Sequence, residues 1–350
     1  MTETVHFTVE ARRATVRIDR PAVHNALDRP TLDGIAGAFR EIAHRDDVGV
    51  AVLTGTGERA FCTGADLDEQ EAFLERPNDY WAWMGHFIAA VDAIRQSPVP
   101  VVARLNGMVV GGGNELNLAC DLAVAADDIS FRHVGPSRGS LPAGGATQWM
   151  PLLVGDRRAR EVMLLNRPHT PLQALDWGWV NRVVPREQLD REVDLLCDEL
   201  LAKMPEIVRA TKVQLDFWKD LSWSMTIRMA REWLTIHAAS AEVEEGLRSF
   251  AEKRPVDYER LRSAIGRPAG ANDAPAPPVD ANRIEETSAA GGEASPAPRA
   301  CAACGREPRD PDTAYCGYCG APLAAAGTTS MQGTPPDPGE PASDAEIHDA

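Results

Sequence analysis

The sequence lacks any run approaching the roughly 18 apolar residues that a membrane-spanning helix needs. It also lacks a basic excess. Lys and Arg number 36 against 52 Asp and Glu, a formal net charge of −16. Nonspecific nucleic-acid partners and anionic membrane surfaces require a basic face, so neither is expected. The first ten residues carry acidic and polar side chains and no apolar stretch, so no signal peptide is expected. The expected location is then cytoplasmic, where thiols stay reduced.

Aromatic residues are scarce in one place. Residues 266–350 contain no Trp, no Phe and two Tyr, but 13 of the 26 prolines. Five basic side chains there face thirteen acidic ones, half of the whole net charge. Such a segment buries too little apolar surface to offset its ordering entropy. Four parts are therefore expected: a folded domain over 1–265, a disordered Pro/Ala linker over 266–299, a cysteine-bearing module over 300–323 and a disordered acidic tail over 324–350.

With 44% hydrophobic residues overall, the first part has ample material for a core. Val5–Glu10 and residues 14–19 alternate as paired strands do. Residues 31–44 place Leu32, Ile35, Ala36, Phe39 and Ile42 at helical spacing. Residues 48–53 are a nearly unbroken apolar run, as in a strand buried on both faces. A helix over 81–95, strands over 100–105, 121–126 and 129–134, and a short helix over 114–119 follow. Beyond Pro142 the chain turns mostly helical, and Met225, Met229, Trp233 and Ile236 or His237 share one helix face. The expected class is α/β with a helical C-terminal extension.

Two glycine-rich turns are the candidate chemistry. Thr63-Gly64-Ala65-Asp66-Leu67 can present a backbone N–H without a bulky neighbour, and Asp66 can cap the next helix. Gly111-Gly112-Gly113 opens a helix, where free N–H groups stabilise negative charge. Two such N–H groups converging on one carbonyl oxygen make an oxyanion hole. Glu115 follows among small and apolar neighbours. Desolvation would raise its pKa to that of an acid–base group; equally, a glutamate in a first helical turn is favoured by the helix dipole.

The ordered series Arg20-Pro21, Asn25-Ala26-Leu27, Val52-Leu53-Thr54-Gly55, Ala60 to Leu67, Asn106-Gly107, Gly111 to Leu116, Cys120-Asp121-Leu122 and Gly144 to Gln148 resembles the enoyl-CoA hydratase/isomerase (crotonase) superfamily. The likeness continues through Ala174 to Val184 and covers roughly residues 4–262. It implies a spiral of ββα units, assembly as a homotrimer or hexamer, and an acyl-CoA thioester substrate. It places the oxyanion donors at the N–H groups of Ala65 and Gly112, with Gly64, Asp66, Leu67, Gly111, Gly113 and Gly135 binding substrate. Glu115 matches the first catalytic glutamate of the hydratases. Their second glutamate corresponds to Gly135, a departure that puts simple fatty-acyl hydration in doubt. His133 is the candidate replacement; its alternative is a structural strand histidine.

The run Gly135-Pro136-Ser137-Arg138-Gly139-Ser140 is similar to dihydroxynaphthoyl-CoA synthases, which lack a glutamate at the position of Glu115. Together with Glu115 it is nearer to ring-opening hydrolases of 6-oxocyclohexene-carbonyl-CoA. These likenesses imply hydration of an α,β-unsaturated enoyl-CoA, linear or cyclic, with ring-opening hydrolysis or isomerisation as alternatives. Tyr258 or Trp233 could shape a bulky acyl pocket, or simply pack. The hydratases often place a lysine for the CoA phosphates where Asp68 stands; Arg20, Arg59, Lys253 and Arg254 are the other cationic candidates.

Cys301, Cys304, Cys316 and Cys319 form C-x2-C-x11-C-x2-C, each pair followed by glycine. Four thiolates at this spacing suit tetrahedral zinc, and the segment resembles a zinc ribbon. Two disulfides are the rival reading. A closed four-cysteine site has no open position for substrate, so its expected role is structural or the recruitment of a protein partner, with a weakly active scaffold as the extreme case. Cys62, Cys120 and Cys197 lie in apolar settings and are expected in the core.

Overall fold

A computed structural model describes residues 3–264. The four cysteines of the expected zinc site, and the linker and tail, lie outside the described residues.

The strands are β1 (Val5–Glu10), β2 (Arg13–Ile18), β3 (Val50–Gly55), β4 (Ala60–Cys62), β5 (Val101–Leu105), β6 (Met108–Val110), β7 (Leu122–Ala126), β8 (Phe131–Arg132) and β9 (Arg182–Val184). The helices are α1 (Arg29–Ile42), α2 (Leu67–Glu75), α3 (Pro77–Arg95), α4 (Gly112–Ala119), α5 (Ala146–Val154), α6 (Asp156–Leu165), α7 (Pro171–Asp176), α8 (Leu189–Leu201), α9 (Pro205–Leu215), α10 (Phe217–His237), α11 (Ala241–Ala251) and α12 (Tyr258–Ala264).

Two sheets alternate along the chain. The larger runs β1-β2-β3-β5-β7-β9 and the smaller runs β4-β6-β8. Only β1 and β2 pair antiparallel; the other pairings are parallel. From β3 to β8 each turn gives one strand to each sheet, the ββα spiral that the resemblance implied. Parallel sheets are covered on both faces. β3 is accordingly buried along its whole length, while edge strand β1 alternates buried and exposed positions.

Helix α1 forms where the apolar spacing predicts. Asp28 caps it by accepting from Thr31 N–H at 2.9 Å, and Leu32, Ile35, Ala36, Phe39 and Ile42 are buried. Helix α3 starts four residues earlier than expected, because Pro77 sits where a helix needs no N–H. The expected strand over 129–134 shrinks to Phe131–Arg132, since the chain turns at Gly135. On α10, Trp223, Ala230 and Leu234 face the core. The stripe singled out from the sequence faces outward instead: Met225 is 74% exposed, Met229 68% and Ile236 78%. Among the described residues, no helix is long and apolar enough to cross a membrane.

Several family-like residues prove to be scaffold. Buried Asn25 donates to Thr56 O and Ala60 O and accepts from Arg20 N–H. Buried Asn106 accepts from Gly55 N–H and donates to Gly57 O. Together they tie the loops around the start of β4. At the far end of α4, Lys219 donates to Leu118 O at 2.9 Å, and Lys212 pairs with Asp121 at 2.7 Å. Cys62, Cys120 and Cys197 are buried free thiols, and burial pushes the Cys62 thiol up to about 12.

Candidate active site

Parallel strands β4, β6 and β8 bring the chain segments that follow them to one place. Gly64 and Gly111 both have positive φ, 89° and 52°. A Cβ on Gly64 would come within 2.8 Å of Gly112 N, so the two turns touch only because glycine is there. Leu27 takes the outer side of the first turn, donating to Gly64 O and accepting from Asp66 N–H. The N–H groups of Ala65 and Gly112 have no acceptor among the described residues. Gly112 is the first residue of α4, where the helix leaves its N–H free.

These turns border a cavity of about 150 Å³. Tyr80, Trp83 and Phe87 from α3 form its aromatic wall, Trp83 and Phe87 stacked with centroids 5.5 Å apart. Glu115, only 6% exposed, projects from α4. Its Oε1 accepts from Gly144 N–H at 2.6 Å, and Ala146 N–H also bonds the carboxyl. Burial outweighs both donors and lifts the carboxyl to about 8. A Cβ on Gly144 would fall 2.1 Å from Phe87 Cε1 and 2.6 Å from Glu115 Oε2, so this glycine is what admits the carboxyl. Burial also raises the Tyr80 phenol, to about 12, despite its bond to Ser140.

The position matching a second glutamate is closed. Gly135 begins a tight turn, and a Cβ there would lie 2.5 Å from Ser140 O. His133 also lines the cavity, at 1% exposure. The indole N–H of Trp179 can only donate, and it ends on Asn114 Oδ1 at 2.8 Å. Asn114 Nδ2 therefore faces His133 Nε2, 2.6 Å away, and donates to it. The ring proton then sits on Nδ1, which has no partner. Burial, with His169 nearby, drops the imidazole to about 3. In this arrangement His133 is neutral and offers its Nδ1–H as a donor.

Other expectations divide. Gly64, Ala65, Leu67, Gly111, Gly112, Glu115 and Gly135 line the cavity. Asp66 and Gly113 do not. Asp66 caps α2 and pairs with Arg20 at 2.8 Å, while Gly113 lets α4 lie on β4, where a Cβ would be 2.1 Å from Cys62 O. Arg20 pairs with Asp28 and Asp66, and Arg254 with Glu245 and Glu252. Trp233 lines an extension of the cavity, whereas Tyr258 is exposed and lines neither part. A groove adjoining at Leu67 and Leu247 carries Asp68, Glu71, Glu75, Glu244 and Glu252 against Arg248.

Gly144, Arg138, Asn114 and Trp179 stand inside matched motifs, but the motifs gave them no individual role. For the aromatic wall a signal existed: Tyr80, Trp83 and Phe87 repeat at helical spacing. Nothing in the local sequence marks Gly144 as the partner of Glu115.

Residues 9–261 match the family model described as enoyl-CoA hydratase/isomerase. The chain belongs to that family. An enoyl-CoA hydratase from Mycobacterium avium subsp. paratuberculosis K-10 is 27% identical, covering 73% of this chain and 99% of that one, with a TM-score of 0.67. A carnitinyl-CoA hydratase from Mycobacterium avium is also 27% identical, covering 74% of this chain and 100% of that one, with a TM-score of 0.64. An enoyl-CoA hydratase from Bacillus anthracis matches at 27% identity over 73% and 98% of the two chains, with a TM-score of 0.60. Within this enoyl-CoA hydratase/isomerase family member, Glu115 is the sole carboxyl lining the cavity among the described residues.

Proposed function

We propose that the protein binds an α,β-unsaturated acyl-CoA and adds water across its double bond, Glu115 serving as the one proton carrier. The observation that carries this reading is a buried carboxyl at about 8 in the same cavity as two free backbone N–H groups. Ala65 and Gly112 N–H donate to the thioester carbonyl oxygen and stabilise the enolate that forms as water attacks the β-carbon. Oxyanion donors of this kind each supply about 3 kcal/mol. Gly144 N–H occupies Glu115 Oε1, leaving Oε2 to take the proton from water and pass it to the α-carbon. Water supplies both new bonds, oxygen to the β-carbon and hydrogen to the α-carbon, so one carboxyl suffices.

The closed turn at Gly135 favours a second reading. With one carboxyl where the hydratases have two, Glu115 could instead move a proton along the acyl chain in an isomerisation. A panel of linear and cyclic enoyl-CoA thioesters in D2O, with and without bicarbonate, separates these. Hydration bleaches the enoyl-thioester absorbance and leaves one α-deuterium beside a β-hydroxyl; isomerisation adds no oxygen; ring-opening hydrolysis yields a chain with a new carboxylate. No consumption and no α-exchange with any thioester would reject the enolate reading altogether.

In this reading the chain is a folded domain over 1–265 followed by a tether with one structural zinc at Cys301, Cys304, Cys316 and Cys319. Metal analysis of the full chain then gives one zinc per chain, and none after all four are changed to Ser. The outward stripe of α10 is large and apolar enough to be an interface, and a second and third copy cover it. Light scattering then gives a trimer or hexamer.

A further inference from the structure

The cavity has a surplus of donors. Arg138 is half-buried in the loop after Gly135, and no carboxylate pairs with it among the described residues. The charged or titratable groups that act on it are Arg132, which repels it, and the Tyr258 phenol. Its guanidinium lies over the Phe250 ring, 4.5 Å from the centroid. Stacking of this kind leaves the edge N–H groups free for bidentate bonds. Gln70 Nε2 and His133 Nδ1 are buried without partners. All three residues line the cavity that holds Glu115. Arg138 and Gln70 also line its extension, with Tyr80 and Trp233. That extension contains no acidic side chain.

The loop that carries Arg138 is held firmly. Gly139 has φ 73°, and a Cβ there would come 2.5 Å from Val243 Cα of α11. A Cβ on Gly246 would come 2.5 Å from Arg138 O. Helix α11 and the loop therefore meet backbone to backbone. A partly desolvated cation so fixed, with donors around it and no counter-charge, is matched by an anionic ligand with acceptor oxygens.

We infer that the acyl group of the substrate carries its own carboxylate, remote from the thioester, and that Arg138 and Gln70 hold it in the extension of the cavity. The substrate class is then the mono-CoA thioester of an unsaturated dicarboxylic acid. The inference rests on the enoyl-thioester reading above for the reaction, though not for the binding.

The test compares two 2-enoyl-CoA thioesters of equal chain length, one ending in methyl and one in carboxylate. It uses the full chain, Arg138→Met, Arg138→Lys and Gln70→Leu, each checked for an unchanged melting profile. The wild type should prefer the carboxylated thioester at least tenfold in kcat/KM. Arg138→Met should cost that thioester about 100-fold, as expected when one partner of a shielded charge pair is removed. Its loss on the methyl-ended thioester should be at least tenfold smaller, and Arg138→Lys should recover part of the difference. Equal kcat/KM for the two thioesters in the wild type, or equal losses in Arg138→Met, overturns the carboxylate site. Binding of the saturated carboxylated acyl-CoA, read by calorimetry, separates the two claims. Arg138-dependent binding without turnover of either enoyl-CoA rejects the reaction and retains the site; turnover of the methyl-ended thioester without that binding does the reverse.

Discussion

Replacing Glu115 by Gln should stabilise the protein while ending its turnover. In the unfolded chain the carboxyl ionises near 4.5, whereas in the fold burial holds its proton until about 8. The raised folded value means that the penalty is absent below pH 4.5, grows as pH rises, and is complete above 8. Each pH unit between the two values costs about 1.4 kcal/mol. The wild type therefore loses about 3 kcal/mol by pH 7 and about 5 kcal/mol above pH 8. Glutamine carries no charge, and its Oε1 can still accept from Gly144 N–H, so the variant escapes the penalty. For a domain of this size about 1 kcal/mol shifts the melting temperature by 2–4 °C, so Glu115→Gln should melt about 6–12 °C higher at pH 7 and together with the wild type near pH 4.5. Scanning calorimetry from pH 4.5 to 8.5, at fixed protein concentration because assembly shifts Tm, reads the difference directly. A constant offset between the two proteins across this range, or a variant less stable at pH 8, would refute the claim that the carboxyl is buried against its own charge.

Three further outcomes follow from the same geometry. If Glu115 must be ionised to take the water proton, kcat/KM rises about tenfold per pH unit up to about 8 and then levels; a rate that falls through that range would make the protonated carboxyl the working form. Gly144→Ala pushes a methyl into Phe87 and the Glu115 carboxyl, so kcat should fall about 100-fold or more while the fold persists; near-normal kcat would show that the carboxyl is not confined there. Asp68→Lys in the acidic groove should lower KM for a CoA thioester several-fold at low salt and leave kcat within about twofold, the gain fading as salt is added. An unchanged KM at low salt would place the CoA phosphates elsewhere.

The legible parts of the fold are those whose burial pattern is local. Helix α1 follows its apolar spacing, and β3 and β5 follow short apolar runs. Strand β9 is three half-buried residues, Arg182–Val184, and becomes a strand only because β7 offers an edge. The site divides in the same way. The glycine turns and Glu115 are visible because a short segment contains the whole signal. The partners that set their chemistry lie far along the chain: Gly144 is 29 residues from Glu115, and Trp179 is 65 from Asn114. His133 shows the cost of that distance, since its proton position depends on an indole that sequence proximity does not reveal.

The small three-stranded sheet has a consequence for how the site tolerates change. Ala65 and Gly112 follow neighbouring strands β4 and β6, whose backbones lie about 4.8 Å apart, as in any sheet. The gap between the two N–H groups is inherited from this ladder, not built by side chains. Most side-chain substitutions around it will therefore spare the pair. A single residue inserted in β4 or β6 would slide one N–H past the other and erase the pair, although every original side chain would still be present.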